Sequence, residues 1–258
     1  ACLDHVFKQK IASCLVNPKA CHETEFTTTI DTSSFNYKSF AVIGAGPAGL
    51  SFAIEAAQLG NNVTVYERNH EIGGQFNIAK EIPGKEEFKE TLRYFNHHIR
   101  ALNITLKLNT EVTPDNLSND FDAVIISTGI RPRIPRIPGV SLPHVLTYQD
   151  LIWKKQPVGQ TVALIGAGGI GFDCAEFLAH SPNSIPTSLN KAAFFEQWGI
   201  DTSYTNRGAV KPKTSERSER KIYWLQRSAT KTAKGRGKTT GWNHTNSYNH
   251  QANTSLTG

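Results

Sequence analysis

The stretch Phe40-Ala41-Val42-Ile43-Gly44-Ala45-Gly46-Pro47-Ala48-Gly49 carries a short apolar strand into a glycine turn and then into a helix that Pro47 is suited to start. The missing side chains of Gly44, Gly46 and Gly49 let backbone amides approach a pyrophosphate at the start of that helix. The pattern returns about 120 residues later, where Val162 to Ile165 leads into Gly166-Ala167-Gly168-Gly169-Ile170-Gly171. One such match is weak. Two, each in a strand, turn and helix context, predict two dinucleotide sites, the plan of a flavin and nicotinamide oxidoreductase.

Working outward from the first turn, the sequence predicts a helix from Pro47 to Leu59 and a second strand from Asn62 to Tyr66, ending at Glu67. Glu71 to Gln75 reads as a loop. Lys85 to Leu102 has helical apolar spacing through Phe88, Leu92, Phe95 and Ile99, Thr105 to Leu108 resumes strand, and Asp122 to Ser127 reads as a buried strand. Pro132, Pro135, Pro138 and Gly139 form a stiff exit. In the second unit a helix is expected from Gly169 to about Leu178 and a strand from Lys221 to Leu225. Between them, His180 to Glu219 is rich in Ser, Asn, Thr and Lys, and no strand is expected there. After Trp242 the apolar periodicity is lost, so the second unit reads as incomplete. A slipped reading frame or an artificial end explains this, with native disorder as the plainer account.

The chain contains no methionine and opens on Ala1, which reads as a fragment. It has no apolar run near the roughly 18 residues of a membrane span, and cytoplasm is the default compartment. Its net charge of +6 is uneven: residues 205–240 carry eleven Lys or Arg against Glu216 and Glu219, a net of +9 that leaves −3 elsewhere. Such a block suits a nucleic acid, a solvated loop, or, from its place after the second glycine turn, a phosphorylated ribose.

Glu67 stands at the carboxyl end of the second strand, where an acid accepts hydrogen bonds from an adenosine ribose and repels a 2′-phosphate, so the first site suits FAD or NAD. At the corresponding end of the second unit stand Leu225-Gln226-Arg227, followed by Lys231 and Lys234. Arg227 and Lys231 predict NADPH, since a guanidinium holds phosphate oxygens with two parallel bonds. Surface solvation is the plain alternative for either cation. Gly74 and Gln75 suit a loop along the flavin's phosphate and ribitol chain, a simple turn being the alternative. Thr128 and Gly129 follow a strand where small residues let the chain pass close to a cofactor. Cys2 and Cys14 are compatible with a disulfide, two buried thiols or half of an iron–sulfur site, and spacing alone favours buried thiols. Cys174 reads as a packing residue, and His97-His98 have no ligand spacing.

Beyond these motifs, Ala1-Cys2-Leu3-Asp4, Ser13 to Pro18, Ala20 to Glu23, Glu71 to Lys80, Ile82 to Phe88, Gly168 to Asp173, Trp198 to Asp201 and Gly237 to Trp242 have no general dinucleotide-binding role. Through them the chain, from residue 1 to about Trp242, resembles the bacterial NADPH-dependent 2,4-dienoyl-CoA reductases. These belong to the old-yellow-enzyme and trimethylamine dehydrogenase-like iron–sulfur flavoproteins. The resemblance implies an α/β chain with two Rossmann-like FAD/NAD(P)-binding units of the pyridine nucleotide-disulfide reductase kind, both truncated, after a partial iron–sulfur arm. The expected division is 1–36 for the arm and linker, 37–157 for FAD and 158–258 for NADP, with an insertion at about 180–220.

The family's CxxCxxxCx11C motif holds a [4Fe-4S] cluster, and Cys2 and Cys14 resemble its third and fourth ligands. Flavin contacts carry over onto Ala48, Glu67, Gln75, Lys85 and Val112, and the nicotinamide phosphate site onto the region of Arg227. An N-terminal barrel with FMN and the acyl-CoA site is expected to precede residue 1, and a C-terminal return segment is expected to be missing. The implied role is electron input from NADPH through FAD and the cluster to FMN, for reduction of a dienoyl thioester in the β-oxidation of unsaturated fatty acids. No side-chain acid or nucleophile is then required. Two other readings stand beside it: an electron-transfer flavoprotein serving another partner, similar to the glutamate synthase small subunit, and a noncatalytic product, either truncated or a basic binding module.

Overall fold

A computed structural model of the chain describes residues 5–14, 16–26, 37–181, 185–214 and 218–227, and the backbone of Thr254–Thr257. The chain divides into two compact units. The first comprises Thr24–Lys80 and Glu87–Leu142, and the second Ala1–Glu23, Glu81–Glu86 and Pro143–Gly258. The main change from one unit to the other falls between Leu142 and Pro143. The six residues 81–86 form a strap that leaves the chain of the first unit and packs with the second.

The first unit is a parallel sheet of order β3-β2-β1-β4, built from β1 (Ser39–Ile43), β2 (Asn62–Tyr66), β3 (Thr105–Lys107) and β4 (Ala123–Ile126). Register pairs Val42 with Val65 and with Ile125, placing these residues on one face of the sheet. Helix α1 (Pro47–Gln58) buries Leu50, Ala53, Ile54 and Ala56, and these join Val42, Val63 and Val65 in one core cluster with Phe95 and Ile99. Phe95 and Ile99 come from α3 (Phe88–Ala101), whose buried residues Leu92, Phe95 and Ile99 follow the expected helical spacing. A single turn, α2 (Phe76–Ala79), precedes it where the sequence reads only as loop. β4 is an edge strand rather than a buried one: Val124 is 43% exposed and Ile126 80%.

The second unit holds β5 (Thr161–Ile165), β6 (Lys221–Gln226) and β7 (Thr254–Thr257), all parallel, in the order β5-β6-β7. β7 lies in the tail after Trp242, where apolar periodicity is lost, and its backbone pairs with Tyr223 to Gln226. Helix α4 (Gly169–Ala179) buries Phe172, Cys174, Ala175 and Leu178. The described residues of the insertion include a helix. This is α5 (Lys191–Trp198), which Asn190 caps by accepting from the Ala193 N–H at 3.1 Å and which Gly199 ends in the left-handed conformation (φ 65°). Behind it the buried Asp201 carboxylate accepts from the backbone N–H groups of Ser203 (2.9 Å) and Asn206 (2.8 Å) and from three side chains. The Ser203 hydroxyl, first among these, holds the Asp201 carboxyl well below the usual carboxylate range.

The entry to a π-helical turn at Gln149–Trp153 is closed by a reciprocal pair in which Asp150 Oδ2 accepts from Thr147 N (3.0 Å) and Asp150 N donates to Thr147 Oγ1 (3.2 Å). A hydrogen bond from Lys154, with the Thr147 contacts, draws the Asp150 carboxyl down to about 2. Among the described residues no helix is long and apolar enough to cross a membrane.

Candidate nucleotide sites

In the first unit the three fingerprint glycines do three different things. Gly44 has φ +105°, and a Cβ on it would meet Ser127 O at 2.5 Å. A Cβ on Gly49 would overlap Gly44 O and Ser127 Oγ, so this glycine lets α1 pack tightly against the turn. Around Gly46 nothing of the protein lies within 4 Å of a Cβ, which leaves that side open for a ligand to approach the backbone. The start of α1 has no side-chain cap and no acid in its first turn, and the same is true of α4. Helix-start N–H groups that no side chain satisfies fit an anion such as a pyrophosphate.

Glu67, 6% exposed, accepts from Ala45 N (2.9 Å), Asn69 N (2.9 Å) and Asn69 Nδ2 (2.6 Å). The expected ribose acceptor is therefore also bound to the glycine turn. The loop predicted at Glu71 to Gln75 lies against the same turn: Gly73 N donates to Ala45 O at 2.8 Å, and a Cβ on Gly74 would meet Gly46 Cα at 3.2 Å. Gln75, half-buried, opens α2. Buried Asn77, which sequence reading missed, ties that loop by donating to Ile72 O and accepting from Lys80 Nζ. Ala48 is exposed in the first turn of α1. Val112 follows Thr110, whose N–H donates to Glu67 O. Thr128 and Gly129 are exposed just beyond Ser127, whose hydroxyl donates to Ile43 O (2.9 Å) and Gly44 O (3.0 Å). These residues gather about one turn. Lys85 belongs to the strap, where its amine is 2.6 Å from Asp173 Oδ1 on α4. Glu81 of the strap pairs with Lys155 at 3.0 Å.

The second turn repeats the plan. Gly166 has φ +116°, Gly168 is open to 4 Å, and a Cβ on Gly171 would overlap Gly166 O. Register equates Ile165 with Leu225 as it equates Ile43 with Tyr66, so Gln226 holds the position of Glu67, and Arg227 that of Arg68. The first unit thus also carries an arginine after its strand. What differs between the two sites is an acid in one and a neutral amide in the other. Arg227 is exposed. Lys231 and Lys234 lie outside the described residues. Of the six described cations in the basic block, four are engaged within the fold: Lys211 with Glu196, Lys213 over Trp198, Arg220 on Leu178 O, and Lys221 over Tyr223.

Cys2 lies outside the described residues. Cys14 and Cys21 are exposed free thiols, and no three potential ligands come together among the described residues, which do not by themselves make a cluster site. Cys174 is buried as expected, and burial pushes its thiol up to about 12.

Comparison with known proteins agrees with this geometry. The chain is 36% identical over 185 residues to a metal reductase of Desulforamulus reducens, covering 70% of this chain and 27% of that protein. It is 37% identical over 163 residues to the NADP(+)-dependent formate dehydrogenase subunit beta of Moorella thermoacetica, covering 57% and 22%. The chain therefore spans about a quarter of the length of these relatives. Among solved structures, 2-naphthoyl-CoA reductase in complex with 2-naphthoyl-CoA superposes with a TM-score of 0.78 at 26% identity, over 99% of this chain and 33% of that one. The pyridine nucleotide-disulphide oxidoreductase profile matches residues 38–187, both glycine turns included, and the chain belongs to that family of FAD- and NAD(P)-binding α/β oxidoreductases.

Proposed function

We propose that the chain is the electron-input part of an NADPH-dependent reductase of 2,4-dienoyl-CoA or a similar conjugated acyl thioester, with FAD at the first turn and NADPH at the second. The observation that carries this reading is the contrast at one register: buried Glu67 beside the first turn, neutral Gln226 followed by Arg227 beside the second. A carboxylate suits the unphosphorylated ribose of FAD, while its absence next to a guanidinium suits a 2′-phosphate.

Gly44, Gly46, Ala48, Gly49, Glu67, Gly74, Gln75, Val112, Thr128 and Gly129 would hold the flavin, and Gly166, Gly168, Gly171, Arg227 and Lys231 the nicotinamide nucleotide. When bound, the two cofactors supply hydride transfer from nicotinamide to flavin. The residues themselves bind and orient: the uncapped helix starts take the pyrophosphates, and Glu67 holds turn and ribose together. Lys85, engaged by Asp173, would act on the second unit's helix α4 in addition to the flavin contact that the resemblance suggests. A [4Fe-4S] cluster through Cys2 and Cys14, an FMN domain, the acyl-CoA substrate and a cytoplasmic location rest on the resemblance. The CoA thioester in the 2-naphthoyl-CoA reductase structure supports the substrate class. The formate dehydrogenase relative favours a second reading, the same NADPH and FAD input serving another electron acceptor.

The test is reconstitution of the chain with FAD followed by anaerobic titration with NADPH and, separately, NADH, read by visible absorption. Bleaching by NADPH well ahead of NADH is expected, with the preference narrowed in Arg227→Ala. Equal bleaching by both nucleotides would count against NADPH, and failure to retain FAD would remove the first assignment.

A further inference from the structure

We propose that Trp224 is the positioning residue of the second glycine turn, its indole N–H holding the Gly166 carbonyl inward and so turning the Ala167 N–H toward the end of β6, where the phosphorylated adenosine ribose of a bound dinucleotide would lie. This rests on the second turn being a nucleotide site. Trp224 is fully buried in β6, its Nε1 donates to Gly166 O at 2.8 Å, and its ring meets Phe172 of α4 edge-on with centroids 4.0 Å apart. The indole lies under the turn: a Cβ on Gly171 would come within 3.4 Å of Nε1. A peptide group is planar and trans, so its C=O and N–H point in opposite directions. Holding the Gly166 carbonyl toward the core turns the N–H of Ala167 away from it.

The first turn shows the same arrangement built from other residues. Gly44 N donates to Tyr66 O and Gly166 N to Leu225 O, the matched strand positions. The Gly44 carbonyl accepts from Ser127 Oγ, and the N–H of the same peptide points to Glu67 Oε2. Each turn is thus held at its first glycine by one backbone bond and one side-chain donor, which comes from β4's end in one unit and from β6 in the other. The outcomes differ in a useful way. Ala45 N–H is taken by Glu67, whereas among the described residues Ala167 N–H has no acceptor, which leaves it for a ligand. Tryptophan supplies at this position both a large apolar side chain and an N–H donor.

The test compares binding of NADPH and of reduced nicotinamide mononucleotide, which lacks the adenosine half, to the unaltered chain and to Trp224→Phe. The expected result is NADPH weakened about tenfold, the worth of one hydrogen bond to a charged group, with the mononucleotide unchanged. Damage to packing alone would weaken both ligands alike. If Trp224→Phe does not fold, β-(3-benzothienyl)alanine at position 224 replaces the indole N–H with sulfur at nearly equal shape and gives the same comparison. Unchanged NADPH affinity, or equal loss of both ligands, would overturn the role of Trp224 while leaving the nucleotide site in place. Absence of NADPH binding by the unaltered chain would overturn both.

Discussion

Glu67 combines a proposed duty with an observed one. Its position at the end of a predicted strand marks it as a ribose acceptor, and that much follows from spacing along the chain. Its second duty, receiving three N–H groups from Ala45 and Asn69, depends on how the turn folds back over the strand end. In Glu67→Gln an amide nitrogen must face one of those donors. The expected cost is about 1–3 kcal/mol of stability, together with weakened FAD retention, measured by urea melts and by flavin absorbance after gel filtration. Cys174 allows a test in pH. Its thiol pKa rises from 9.0 to about 12 in the folded chain, so the folded state keeps a proton that the unfolded state releases above pH 9. Stability is then unaffected by this group below pH 9 and falls as pH rises toward 12. Maleimide at pH 8 should label Cys14 and Cys21 and reach Cys174 only after denaturation, as peptide mass spectrometry would show. Ser127 and Trp224 were not legible as clamps. Their bonds to Gly44 and Gly166 span 83 and 58 residues, and nothing local in the sequence announces a contact of that range.

The strand–turn–helix elements were the most readable parts of the chain, because apolar runs ending in glycine allow few other outcomes. β2 has the predicted bounds, and α1 and α4 differ from expectation by a residue at their ends. The helix α5 was missed although both its punctuation marks, Asn190 and Gly199, are present. A polar neighbourhood hid an eight-residue helix that has no fully buried face to give it a period. β7 was missed for a related reason, since its pairing with β6 is a backbone matter and the four-residue sequence Thr-Ser-Leu-Thr is too short to show a strand pattern. Within the first glycine turn the structure separates two kinds of glycine. Gly49→Ala would drive a Cβ into Gly44 O and should lower stability by about 1–3 kcal/mol. Gly46→Ala has room within the protein and should melt as the unaltered chain does, yet lose flavin affinity. Parallel thermal melts and FAD titrations of the two variants check this, and equal stability losses would show that Gly46 is also a packing glycine.

At the scale of the whole molecule, the sequence conveyed two nucleotide units but not which residues belong to each. The strap at 81–86 follows the first unit's second strand in sequence, yet it packs with the second unit, where Glu81 and Lys85 pair with Lys155 and Asp173 and Ile82 is buried. The basic block likewise read as a single feature, whereas most of its described cations are partnered within the fold. The two sheets also share an outer boundary of the same character. β4 and β5 are each at a sheet edge, and each ends in an isoleucine that faces solvent, Ile126 at 80% and Ile165 at 69% exposure. A lysine at either position should leave the melting temperature within a degree or two, since a surface change there removes little packing, and should reduce light scattering on concentration. Among the described residues each edge pairs a row of unused backbone donors and acceptors with a greasy tip, the combination by which strands of separate molecules adhere. Lower scattering in the two lysine variants would trace self-association at high concentration to these two tips rather than to the strength of either core.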